Sequence, residues 1–157
     1  MTVPFKERYF EDYRPGEVVE FGDYLVTEEE IIDFARRYDP QPFHLDKRAA
    51  AESIYGGLIA SGWMTGSIMM RLLVDHFVSP VSSMGSPGVD EMRWLTPVRP
   101  GDRLRVRLTV IDTKRSQSKP DRGIIQVQQE MINQDGDTVM SIRGLSLSKC
   151  RTPPPSS

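Results

Sequence analysis

Eighteen consecutive residues, Ser53 to Met70, carry no charged side chain. A run of that length is long enough to raise a membrane-spanning helix. Its content argues otherwise, because Gly56, Gly57, Ser61, Gly62, Thr65, Gly66 and Ser67 dilute the apolar residues, and Arg71 and Asp75 follow at once. Small residues at such density suit a helix packed closely on all sides by protein. The segment is therefore expected to supply a buried central helix, from about Ser61 to His76, around which the rest of the chain must fold. No membrane span is expected.

The flanking pattern says what surrounds that helix. Pro15-Gly16 marks a turn, and Val18 to Val26, rich in Val, Phe and Tyr, predicts a strand. Thr27 and Glu30 have the spacing of a capping box, followed by Ile31, Phe34, Ala35 and Tyr38 on one helical face. Pro40 ends that helix, since the residue before a proline is pushed out of the helical region. Asp46 can cap a second short helix, Lys47 to Ser53. After Val89 the period changes from helix to strand. Leu104, Val106, Leu108 and Val110 alternate with Arg103, Arg105, Arg107 and Thr109, and Ile125, Val127 and Met131 alternate with Gln126, Gln128 and Glu130. Asp135-Gly136 is a hairpin signal leading into a last strand, about Thr138 to Lys149, whose faces the pattern does not assign. Helices first and hairpin-linked strands second indicate an α+β domain with antiparallel sheet packed on helix. One domain over residues 1–150 and a disordered proline-rich tail over 151–157 are expected.

Composition narrows the function. With 20 Lys and Arg against 22 Asp and Glu the net charge is −2, which lacks the basic excess of a nucleic-acid binder. A single cysteine, Cys150, leaves no internal disulfide, and two histidines, His44 and His76, supply metal chemistry poorly, so no metal is expected. Met1 to Asp12 has no apolar run of the kind that opens a secretory leader, and a cytoplasmic protein is expected. There is no glycine-rich phosphate loop.

The segment richest in chemistry is Tyr38-Asp39-Pro40-Gln41-Pro42-Phe43-His44-Leu45-Asp46. Two prolines fix the backbone between Asp39 and His44 and lower the entropy cost of holding both side chains. Imidazole passes protons either way near neutral pH, and a carboxylate orients water or imidazole, so the two make a candidate acid–base pair. An aspartate before a proline also commonly closes a turn through its own backbone, and spacing does not separate the two roles.

Four blocks in order carry a family resemblance. They are Thr27-Glu-Glu-Glu-Ile-Ile-Asp-Phe-Ala35, Asp39 to Asp46, Gly56-Gly57-Leu-Ile-Ala-Ser-Gly62-Trp63, and Arg93-Trp-Leu-Thr-Pro-Val-Arg-Pro-Gly-Asp102. Together they resemble the MaoC-type dehydratases, single-hotdog relatives of the (R)-specific enoyl-CoA hydratases. The resemblance implies a hotdog fold, an antiparallel sheet wrapped around the long helix. It implies Asp39 and His44 as the catalytic pair and the Gly62 N–H as donor to the thioester oxygen, forming an oxyanion hole. It also implies an acyl-CoA thioester substrate, with coenzyme A as part of the substrate and no separate cofactor, and a homodimer. A helix N-terminus independently offers unpaired N–H groups to a developing oxyanion. Phe43, Ser61 and Trp63 flank the expected site and are assigned to substrate binding.

The chain departs from the family pattern at Tyr38, Gln41 and Ser61, where relatives carry Gly, Asn and His. Within enzymes the rival is a hotdog thioesterase, which commonly places an acidic residue on the central helix; none lies between Gly62 and Arg71. A non-catalytic acyl-binding subunit is the alternative from another class. His76 and Cys150 are expected to be structural, and the cationic loop Lys114, Arg115, Lys119 and Arg122 to be a solvated hairpin in preference to a coenzyme A phosphate site.

Overall fold

A computed structural model describes residues 2–152. Two one-turn 3₁₀ segments, Phe5–Glu7 and Phe10–Asp12, open the chain. The turn at Pro15-Gly16 forms as its sequence requires. Gly16 takes a positive φ of 90° and its N–H donates to the Val110 carbonyl at 2.7 Å. Strand β1 (Val18–Leu25) follows, then helix α1 (Glu28–Tyr38), the single-turn helix α2 (Pro42–Leu45) and α3 (Lys47–Glu52). The Asp46 carboxylate caps α3 by accepting from the N–H groups of Arg48 and Ala49. Helix α4 (Gly62–His76) leads to β2 (Val89–Trp94), β3 (Arg103–Arg115), β4 (Arg122–Ile132) and β5 (Thr138–Lys149). All strand pairs are antiparallel, in the order β1-β3-β4-β5-β2, which leaves β1 and β2 at the edges.

The two-residue alternation delivers its apolar set to one face. Leu104, Val106, Leu108 and Val110 of β3 are buried with Ile125, Val127 and Met131 of β4 and Met140 and Ile142 of β5. Against them lie Met64, Ile68, Met69 and Leu72 of α4. Each such side chain, once buried, contributes roughly 1.5–3 kcal/mol relative to exposure. The hairpin between β4 and β5 turns at Gly136, with φ 83°, while the Asn133 side chain accepts from the N–H groups of Asp135 and Asp137. The inward side of β5 ends in small and polar residues. Ser148 there is buried and meets Ser82, whose hydroxyl donates to the Arg8 carbonyl.

Three expectations change. Helix α4 is covered on its sheet side only: Trp63, Met70 and Val74, on one stripe, are 61%, 49% and 47% exposed. The small residues therefore serve local contacts, not enclosure. Gly66 faces Met140, where an added Cβ would lie 3.5 Å from Met140 Cε. Second, the capping box is only half formed. Thr27 Oγ1 accepts from Glu30 N–H, but the Glu30 carboxylate takes the Tyr24 hydroxyl instead of reaching back. Third, the tail begins ordered: Arg151 pairs with Asp12, and Thr152 N–H and hydroxyl both donate to Glu11. Residues 153–157 lie outside the described residues. No helix among the described residues is long and apolar enough to cross a membrane.

The N-terminal segment is anchored by a buried charge. Arg8, 2% exposed, donates through both terminal nitrogens to Glu17 at 2.8 and 2.7 Å and lies 4.1 Å over the Phe5 ring. The cationic hairpin stands apart from the residues described next. It lies at the far end of the 13-residue β3 from the Pro97–Asp102 turn, roughly 40 Å away at the usual strand rise. Arg122 pairs there with Asp121, and Arg115 donates to the carbonyls of Pro120 and Thr152.

Candidate active site

Pro40 forces α1 to end at Tyr38, and Asp39 leaves the helix with φ −151° and ψ 66°. Pro42 then starts α2 at its first position, where a missing N–H costs nothing. That single turn, which the sequence pattern did not show as a helix, carries His44. The result is a side-chain pair: His44 Nε2 lies 3.2 Å from Asp39 Oδ2. His44 is 4% exposed, so its ring sits in the protein while the carboxylate keeps partial access.

Each member is held from behind. His44 Nδ1 lies 2.7 Å from the Ile59 carbonyl, which can only accept, so Nδ1 carries a proton and Nε2 is the nitrogen left to face Asp39. Ile59 is fixed in turn, because its N–H donates to Phe43 and the next N–H, of Ala60, donates to Val98. Asp39 Oδ1 accepts from the Gln41 amide at 2.6 Å, and Oδ2 accepts from the Ser61 hydroxyl at 2.7 Å. Burial alone pushes the Asp39 carboxyl up. The hydrogen bonds from Gln41 and Ser61, with the neighbouring His44 ring, outweigh it and hold the group below the ordinary aspartate value. Asp39 is thus a carboxylate throughout the neutral range.

Ser61 also caps α4, its Oγ accepting from Trp63 N–H at 3.3 Å. One hydroxyl therefore joins the helix start to the carboxylate. Ser61 is fully buried and does not line the pocket, so its assignment to substrate contact is corrected: it acts behind Asp39. The pocket itself has a volume of about 460 Å³. Asp39, His44 and Gly62 open onto it, and the aromatic rings of Phe43, Tyr55, Trp63 and Trp94 wall it. Gly62 is the first residue of α4, and its N–H has no partner among the described residues. An unpaired N–H at a 15-residue helix start is a donor for a negative oxygen.

Sequence reasoning missed Trp94, Tyr55 and the Leu95–Val98 stretch, all on the pocket wall. Trp94 and Leu95–Val98 lay inside a recognised block. No local signal said that they face the site, because β2 is an edge strand without a burial alternation. Among the described residues no three His, Cys, Asp or Glu side chains are grouped to hold a metal.

Comparisons with known proteins identify the family and the fold. The profile of the MaoC like domain matches residues 11–131. Protein MaoC of Klebsiella aerogenes is 38% identical over 107 residues, 68% of this chain and 31% of that protein. Mesaconyl-CoA hydratase of Cereibacter sphaeroides is 36% identical over 153 residues, 94% of this chain and 43% of the relative. The chain thus spans less than half the length of either relative. The crystal structure of the MaoC-like dehydratase from Rhodospirillum rubrum superposes with a TM-score of 0.86 at 38% identity, covering 93% of this chain and 99% of that one. R-hydratase PhaJ1 from Pseudomonas aeruginosa shares the fold at a TM-score of 0.72 and 22% identity, over 95% of each chain. With its five-stranded antiparallel sheet and long helix in the hotdog arrangement, the chain belongs to the MaoC-like family of hydratases and dehydratases.

Proposed function

We propose that this chain adds water reversibly across the 2,3 double bond of a trans-2-enoyl-CoA, giving the (R)-3-hydroxyacyl-CoA. The observation that carries the reading is the Asp39–His44 pair, 3.2 Å apart, sharing one pocket with the unpaired N–H of Gly62. A water bound between Nε2 and Oδ2 donates a hydrogen to each. As its oxygen attacks Cβ, one proton passes to the pair and the double-bond electrons move toward the thioester oxygen. The Gly62 N–H stabilises that oxygen as it becomes enolate-like. The pair then returns a proton to Cα on the same face, and one water has been added with no proton left over. Run backward, the same groups remove it.

Coenzyme A is the proposed carrier and enters as part of the substrate; no separate cofactor is used. A relative that is a hydratase of a CoA thioester, over 94% of this chain, supports the carrier. The proposed assembly is a homodimer. The exposed Trp63–Met70–Val74 stripe on α4 and the unpaired edge of β2 are surfaces a second copy would cover.

The test is mass spectrometry of purified protein with a panel of trans-2-enoyl-CoA thioesters. A product heavier by one water with coenzyme A still attached supports hydration. Free coenzyme A would replace this reading with thioester hydrolysis. No change across the panel would leave a binding subunit.

A further inference from the structure

One pocket residue, Trp94, takes no part in proton transfer yet touches the start of α4 twice. Its indole Nε1–H donates to the Gly62 carbonyl at 2.8 Å. Its ring packs so closely on Gly62 that a Cβ there would lie 2.6 Å from Cε2 and Nε1. The Gly62 carbonyl belongs to the peptide whose N–H, that of Trp63, donates to Ser61 Oγ, and Ser61 donates to Asp39 Oδ2. The peptide between Gly62 and Trp63 is therefore held at both ends, by a side chain of β2 and by the hydroxyl behind the carboxylate. A continuous hydrogen-bonded path runs from the sheet edge through the first turn of α4 to the Asp39–His44 pair. Trp63 braces the same ring, edge to face at 5.2 Å.

We propose that Trp94 is a positioning residue, clamping the first turn of α4 so that the Gly62 N–H and, through Ser61, the Asp39 carboxylate keep their places relative to one bound thioester. This rests on the hydratase reading above. The clamp matters chemically because the oxyanion donor and the proton-transfer pair must act on atoms two bonds or more apart in one substrate. An error in their relative placement costs rate in the transition state more than it costs binding. The only polar group of Trp94 is spent on the Gly62 carbonyl. The ring alone would serve as wall equally well if it were phenyl.

Trp94→Phe makes that distinction, keeping an aromatic wall and removing the indole N–H. The expected result is a fall of about tenfold in kcat, the size of one lost oriented hydrogen bond, with KM within about threefold of the parent. In the ¹⁵N NMR spectrum of the variant the Gly62 and Trp63 amides shift and the Trp63 amide exchanges faster, while sheet amides of β3 and β4 stay put. Unchanged kcat, or a raised KM with kcat intact, would reduce Trp94 to a wall and overturn the proposal. If the parent protein turns over no enoyl thioester, the hydratase reading fails by itself, and the NMR comparison still decides the clamp. Amides at Gly62 and Trp63 that do not respond to Trp94→Phe overturn it; amides that do respond support it.

Discussion

Two glycines in one helix should respond to alanine in opposite directions. At Gly62 a new Cβ would come within 2.6 Å of the Trp94 ring, and at Gly66 it would meet only Met140 Cε at 3.5 Å. Neither glycine has a positive φ, so alanine fits the backbone at both sites. Alanine favours the helix by roughly 0.5–1 kcal/mol at either. At Gly62 the ring must retreat by about 1 Å to restore ordinary carbon contact. That overpacking costs about 1–3 kcal/mol, and losing the indole hydrogen bond about 1 kcal/mol more. The balance for Gly62→Ala is a destabilisation of about 1–3.5 kcal/mol, or about 2–14 °C in Tm for a chain of this size. Gly66→Ala should be neutral or raise Tm slightly. Turnover should separate the two further. Retreat of the ring releases the α4 start, and a misplacement of the donor by as much as about 1 Å should lower kcat by up to about 10²-fold. Differential scanning calorimetry and steady-state kinetics on both variants check this. If Gly62→Ala melts and turns over like the parent, Trp94 does not sit on Gly62 and the clamp is refuted.

Two further outcomes follow from the same contacts. Ser61→Ala removes both the α4 cap and one hydrogen bond that holds Asp39 below its ordinary value; it should lower stability by about 1 kcal/mol. Its sign in pH is fixed: a carboxyl that loses a stabilising donor rises, so the acid limb of kcat/KM moves to higher pH, and an unmoved or lowered limb would contradict the assignment. Met70→Glu places a charge on the exposed apolar stripe of α4; sedimentation should change from dimer to monomer, and an unchanged dimer would place the interface elsewhere.

How much of this could be seen in the sequence depends on the range of the forces involved. The ends of α1, the cap of α3 and the start of α4 were legible, because proline, Asp46 and the glycine break act within a few residues. The buried face of β3 was legible from its period. The pair itself was visible as two residue types around two prolines. Its geometry was not, since the carbonyl that orients His44 belongs to Ile59, 15 residues away, and the hydroxyl that holds Asp39 belongs to Ser61, 22 away. Ser61 looked like a change in the pocket wall and proved to be a support behind it. Tyr38 fitted the apolar period of α1 but is 65% exposed, at the last residue of the helix. The faces of β5 were hidden because its inward positions pass from Met140 and Ile142 to Gly144 and Ser148, where Ser82 of the loop after α4 supplies a polar partner.

The central claim is that Asp39 and His44 together move the protons. Asp39→Asn keeps the shape of the side chain and its reach to Ser61, and His44→Ala removes the exchanging nitrogen. The measurement is turnover of both variants beside the parent on the enoyl-CoA that the parent hydrates best, with circular dichroism to show that each is folded. Removing a positioned acid–base group should lower kcat by about 10²–10⁴-fold in each variant. A folded variant of either kind that retains turnover within about tenfold of the parent would fall short of that range and contradict the assignment.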